Sequence, residues 1–158
     1  MLTAFLSAQR SAATMIALLQ RVSCASVRVE GEVVARIDQG LLVLVGVQRE
    51  DDEAQPARLA KRLLEYRVFA DAAGKMNRSL LDTGGGLILV PQFTLAADTG
   101  SGTRASFTTA AEPERARRLF DQLLAQCQAR LPATQAGVFG ADMQVALVND
   151  GPVSFLLS

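Results

Sequence analysis

The stretch Leu41–Val47, LLVLVGV, is apolar almost without a break. A strand with one solvated face alternates apolar and polar residues, whereas a strand covered on both faces reads as a continuous apolar run. These seven residues therefore predict a strand buried on both sides, and the rest of the chain must supply the cover. The chain has 158 residues, 49% apolar and 20% charged, which suits one soluble globular domain with a substantial core.

Around that run the pattern predicts further strands. Ile16–Val29 reads as a strand, Glu30-Gly31-Glu32 as a turn, Val33–Ile37 as a short strand and Asp38-Gln39-Gly40 as a second turn. Asp51-Asp52-Glu53 is expected to open a helix, because carboxylates oppose the positive end of the helix dipole. Pro56 falls early in it, and Leu59, Leu63 and Tyr66 give it an apolar face. Arg67–Asp71 reads as a short strand, Asp71–Lys75 and Thr83–Gly86 as turns, and Leu87–Phe93 as a strong strand. From Pro113, the residues Ala116, Leu119, Phe120, Leu123, Leu124, Cys127 and Leu131 follow helical spacing closely. Strands are expected at Val138-Phe139, Met143–Val148 and Val153–Leu157. The sum is an α+β fold: a single domain on a largely antiparallel sheet, with two main helices.

Residues 1–14, MLTAFLSAQRSAAT, precede a second methionine, Met15. They lack the basic start and long apolar core of a signal peptide, so they read as an extension before a domain at 15–158. No apolar stretch reaches membrane-spanning length.

There is no histidine, which removes the Ser-His-Asp and Cys-His routes to an activated nucleophile and the HExxH zinc site. Cys24 and Cys127 stand far apart without a CxxC, so no structural zinc site is expected. One disulfide is compatible with their number, but nothing else points to secretion. Two packed thiols in a reduced, cytosolic chain are the expectation. Sixteen basic residues balance sixteen acidic ones, so contact with a nucleic acid would depend on a local patch. TGGG at Thr83–Gly86 lacks the lysine and spacing of a phosphate loop.

Two stretches place polar groups oddly. Pro91-Gln92-Phe93-Thr94-Leu95 ends a buried-type strand, where unpaired N–H groups can cradle an oxyanion. A plain strand end, with Gln92 and Thr94 solvated and Phe93 in the core, accounts for the same pattern. Asn149-Asp150-Gly151-Pro152 interrupts a strand pattern with a residue that cannot donate to a ladder. A turn between two strands explains it, and so does a pair of carbonyls held toward a ligand.

Taken together, LLQRVSCASVRVEGEVVARIDQGLLVLVGV, GKMNRSL, PQFTLAADT and MQVALVNDGPVSF, in this order from Met15 to about Leu157, resemble the D-aminoacyl-tRNA deacylases. The resemblance implies a compact domain with barrel-like sheets and no cofactor or metal, working in the cytoplasm as a homodimer. Its active site would lie at the dimer interface and hydrolyse the ester of D-aminoacyl-tRNA, and of glycyl-tRNA, while rejecting L-aminoacyl esters. One copy would supply Pro91, Gln92, Phe93 and Thr94, and the other its Gly151-Pro152 pair in the cis form. Pro91 stands where the family commonly has serine, so a serine nucleophile is lost there; Ser154 keeps the hydroxyl of the family's usual threonine. Under the resemblance the N–H groups of Gln92 and Phe93 would hold the oxyanion, with the substrate's 2′-hydroxyl assisting. Thr94 would shape the pocket, and Met143 would touch substrate. Arg21 would either brace the Gly-Pro segment or make ordinary sheet-edge links. The rival readings are an acyl-enzyme on Thr94 and a non-catalytic nucleic-acid-binding module.

Overall fold

The long hairpin that opens the computed structural model sets the frame; residues 14–158 are described, so the proposed extension lies, but for Thr14, outside them. β1 (Ile16–Val29) turns at Glu30 and Gly31, both at positive φ, into β2 (Glu32–Ile37) and β3 (Gly40–Gly46). β3 pairs with the first half of β1, from Ile16↔Gly46 to Val22↔Gly40, and β2 with the second half. The opposite edge of β1 is taken by the last strand, paired antiparallel from Ala17↔Leu157 to Val29↔Met143.

After β3 come α1 (Gln55–Glu65), the small hairpin β4 (Phe69–Ala70) and β5 (Met76–Arg78), and α2 (Leu80–Thr83). Ser79 and Asp82 form a reciprocal capping box on α2. β6 (Gly86–Pro91) then lies parallel to β3, from Gly40↔Gly86 to Val45↔Pro91. α3 (Pro113–Arg130) leads to β7 (Gln135–Ala136), parallel to β6, and β8 (Met143–Leu157) ends the chain. Parallel neighbours need a crossover, and the two long helices supply it. The sheet is therefore antiparallel around β1 and parallel around β6.

It curls into a nearly closed barrel. The Gln135 side chain accepts from the Arg36 N–H at 2.8 Å and donates to the Arg36 carbonyl at 2.7 Å, joining β7 to β2 where a ladder would otherwise be needed.

The apolar run in β3 is explained by two cores. Leu41, Val43 and Val45 face the helices with Leu87 and Leu89 of β6, against Leu59 and Leu63 of α1 and Leu119, Leu123 and Cys127 of α3. Leu42 points the other way, into a second cluster with Ile88, Val90, Val22, Val27 and Ile37. Each leucine-sized side chain buried this way contributes about 1.5–3 kcal/mol of transfer free energy.

Four expectations change. Asp51-Asp52-Glu53 forms a turn ahead of α1, which starts at Gln55; Asp51 is buried, and its carboxylate accepts the Gln48 N–H at 2.6 Å. Val138-Phe139 is not a strand: the residues that pair with β6 are Gln135 and Ala136, just before it. Met143–Val148 and Val153–Leu157 are one strand rather than two. Cys24 is exposed rather than packed; Cys127 is buried in the α3 stripe, and burial pushes its thiol up to about 12. Among the described residues no helix is long and apolar enough to cross a membrane.

Candidate active site

The strand Leu87–Phe93 of the sequence reading ends early. β6 stops at Pro91, and Phe93–Ala96 winds into a short 3-10 turn. The turn can sit down on β3 because Gly46 is beneath it. A Cβ there would lie 2.9 Å from the Leu95 Cβ and 3.3 Å from the Ala96 nitrogen. Pro91 is tolerated at the strand end because alternate amides point to opposite edges. The Gln92 N–H points to β3, so the missing N–H of Pro91 falls on the edge where β7 pairs only with Ile88 and Leu89.

This geometry corrects the oxyanion expectation. The Gln92 N–H is spent on the Val45 carbonyl at 2.8 Å. The amides of Phe93 and Thr94 open the 3-10 turn, where no earlier turn supplies a carbonyl, and they meet no acceptor among the described residues. The free pair is thus one residue further along. The Gln92 side chain donates to the Thr94 hydroxyl. Among the described residues neither a carboxylate nor a lysine bonds that hydroxyl, so none of them serves it as a base.

The plain strand end also fails for Phe93, which is 60% exposed rather than in the core. Its ring meets that of Phe107, itself 49% exposed, at 5.3 Å between centroids. A recess behind the turn is lined by Pro91, Gln92, Phe93, Ala111, Phe120 and Phe139. Met143 reaches the same end of the barrel: its sulfur accepts the Val138 N–H at 3.3 Å and lies against Gly137, as does Pro91.

The second predicted stretch is a bulge. Gln20 pairs with Ser154 and Val22 with Asn149, so residues 150–153 of β8 stand opposite the single residue Arg21. The Gly151-Pro152 bond is cis, and Gly151 has φ 144. A Cβ at Gly151 would come within 2.9 Å of the Val153 nitrogen and 3.2 Å of the Arg21 guanidinium. Arg21, weighed as a brace or as a sheet-edge residue, bonds two main-chain carbonyls. Nε donates to the Asp150 carbonyl at 2.9 Å and an Nη to the Val68 carbonyl at 2.8 Å. Asn149 closes the bulge from within, accepting the Val153 N–H at 2.7 Å and donating to the Ser154 hydroxyl at 3.0 Å. The carbonyls of Gly151 and Pro152 are left outside the ladder, and among the described residues no side chain donates to them.

One chain does not bring the two stretches together. Arg21 is level with Leu41, and Leu41 with Leu87, whereas Pro91 is level with Val45. The bulge and the turn are thus separated by three strand spacings and four residues, on the order of 20 Å. Sequence reasoning missed Gly46 and Phe107, and it named Asn149 only as part of the Asn149–Pro152 stretch, a turn-type residue ahead of Gly-Pro.

Comparison with known proteins adds the following. The family model described as D-Tyr-tRNA(Tyr) deacylase matches residues 18–158. A D-aminoacyl-tRNA deacylase of Thioalkalivibrio sulfidiphilus (strain HL-EbGR7) is 64% identical over 144 residues, covering 90% of this chain and 96% of the relative. One of Stutzerimonas stutzeri (strain A1501) is 62% identical over 143 residues, covering 90% and 99%. Among solved structures, a c-Myc DNA unwinding element binding protein superposes with a TM-score of 0.86 at 36% identity, over 90% of this chain and 97% of that one. A probable eukaryotic D-amino acid tRNA deacylase gives 0.79 at 15% identity, over 91% and 98%, which shows a shared fold.

Proposed function

The chain belongs to the D-Tyr-tRNA(Tyr) deacylase family and is a D-aminoacyl-tRNA-hydrolysing enzyme, and we propose that it does this chemistry in the cytoplasm with main-chain groups of two copies. The observation that carries the reading is the pair of amides at Phe93 and Thr94 left unspent by the described residues, none of which serves the adjoining threonine as a base. Water adds to the ester carbonyl, and these amides hold the resulting oxyanion. The carbonyl re-forms, the bond to the ribose 3′-oxygen breaks, and that oxygen takes the proton that water loses. Free D-amino acid and tRNA leave. The 2′-hydroxyl of the terminal adenosine assists by orienting the water. An aminoacyl ester is already activated, which fits a site without histidine.

Handedness is set from across a dimer interface. The unbonded carbonyls of Gly151 and Pro152 of the partner subunit accept from the substrate's α-amino group and fill the space an L side chain would need. Glycyl-tRNA, with no side chain, is cleaved too. Pro91 and Met143 line the near wall. The bulge is firm enough for this task because Arg21 and Asn149 hold it from both sides. β8 favours a dimer: among the described residues it pairs only with β1, and it exposes Val145, Val148 and Leu156 along its length.

The test offers D-tyrosyl-, L-tyrosyl- and glycyl-tRNA to the wild type and to Thr94→Ala. Cleavage of the D and glycyl esters, slow cleavage of the L ester, and substantial activity in the alanine variant are expected. An acyl group trapped on Thr94 would establish the covalent route instead. Binding without cleavage of any of the three would favour a nucleic-acid-binding module.

A further inference from the structure

Between the 3-10 turn and α3 the chain makes a strap, Ala97–Ala111, which runs out and returns. Asp98 and Ser106 exchange backbone hydrogen bonds of 2.7 and 2.9 Å across it. On the return, Thr109 is fixed through its own carbonyl, which accepts the Arg49 N–H at 2.9 Å. Two residues on, Ala111 donates to the Val47 carbonyl at 3.1 Å. From this anchored backbone the half-buried Thr109 hydroxyl donates to the Ala96 carbonyl at 2.5 Å. Ala96 is the last residue of the turn whose first residues present the free amides.

A four-residue 3-10 turn holds itself weakly. Its flanking backbone bonds are long, 3.3 Å from Leu95 to Gln92 and 3.2 Å from Ala97 to Thr94. A bond from outside is therefore a large part of what fixes its angle. We propose that Thr109 is a positioning residue for the Phe93 and Thr94 amides: it ties the far end of their turn to the segment that follows β3. The role rests on the hydrolase reading above and deepens it. Thr109 touches no substrate, and it acts by keeping two donors aimed at the oxyanion.

The experiment compares wild type, Thr109→Val and Thr109→Ser in kcat and KM for D-tyrosyl-tRNA. It also measures affinity for a non-cleavable amide analogue of D-tyrosyl-adenosine. Valine keeps the shape and removes the donor. Misaimed donors cost transition-state stabilisation more than ground-state binding. Thr109→Val should therefore lose about 10- to 100-fold in kcat, with KM and analogue affinity within about twofold of wild type. Thr109→Ser should recover most of the rate. Thr109→Ala gives a second hydroxyl-free variant if valine does not fold, with the same expectation. A hydroxyl-free variant with wild-type kcat, a loss confined to KM and analogue affinity, or a serine variant as impaired as valine would each overturn the role. Wild-type protein that cleaves no aminoacyl-tRNA overturns the hydrolase reading, and this role with it. An active wild type beside an equally active valine variant overturns this role alone.

Discussion

Arg21 stands opposite four residues of β8 and spends two hydrogen bonds on main-chain carbonyls, those of Asp150 and Val68. Single residues govern the other stretch in a different way, through the absence or presence of an N–H. Phe93 follows Gln92, whose φ of −140° and ψ of 88° are extended, and it opens the 3-10 turn, where proline is tolerated. Phe93→Pro deletes one of the two free donors, and Phe93→Ala keeps it. Loss of one such donor costs about 10²–10³ in kcat, so proline should be far slower than alanine in single-turnover deacylation. Equal rates would remove the amide from the mechanism. Asp51 offers a prediction of another kind. Burial raises its carboxyl from 3.8 to about 6, against the opposing pull of the Gln48 N–H and the Arg115 charge. Between those two values the folded protein keeps a proton that the unfolded chain has released, so this group's stabilisation is full below about pH 4 and is lost as pH rises through about 6. Asp51→Asn keeps an acceptor for Gln48 and cannot ionise. Its melting temperature relative to wild type should climb from about pH 4 to about pH 7, and a difference that does not change with pH would contradict the assignment.

At the level of elements, β7 shows how little strand a barrel needs when a side chain completes the circle. Gln135 holds both the N–H and the carbonyl of Arg36. Gln135→Leu removes both bonds at a site water can reach, so the global cost should be only about 1–2 kcal/mol. The local effect should be larger: faster amide exchange across Glu32–Ile37, with the β1–β8 ladder unchanged. Uniform protection across the barrel would mean that the glutamine closes nothing. β7 also marks a limit of reading from sequence. Val138-Phe139 has the residue types of a strand, yet pairing depends on what lies beside β6, and that is a tertiary fact. The same holds for Phe93-Thr94-Leu95-Ala96, which continue the apolar pattern of β6 and leave it only because Gly46 lets them fold down onto β3. By contrast, β3 and α3 were legible, because their patterns report burial directly: alternate residues of Leu41–Val45 enter two different cores, and Ala116 to Cys127 enter one. At Asn149–Pro152 the interruption was visible in the sequence and its form was not. The four-residue bulge stands opposite Arg21, far away in the chain, and that pairing is not written in the local sequence.

For the whole molecule the decisive quantity is the separation of the two stretches, on the order of 20 Å within one copy. Along the sheet, β1 and β3 lie between β8 and β6. The proposed site takes the turn of one copy and the bulge of another, and a two-fold dimer would hold two such sites. That arithmetic can be checked by mixing two damaged proteins. Phe93→Pro damages the turn; Gly151→Ala damages the bulge, because a Cβ there meets Val153 and Arg21. In a hybrid of the two, one site combines both lesions and the other combines an intact turn with an intact bulge. Random re-association of equal amounts makes about half the dimers hybrids, each with one sound site in two, so about a quarter of wild-type activity should return. Recovery should follow the rate of subunit exchange and disappear when each variant is assayed alone. Mixtures that stay as inactive as their parts, with hybrids demonstrably formed, would place the whole reaction within a single chain.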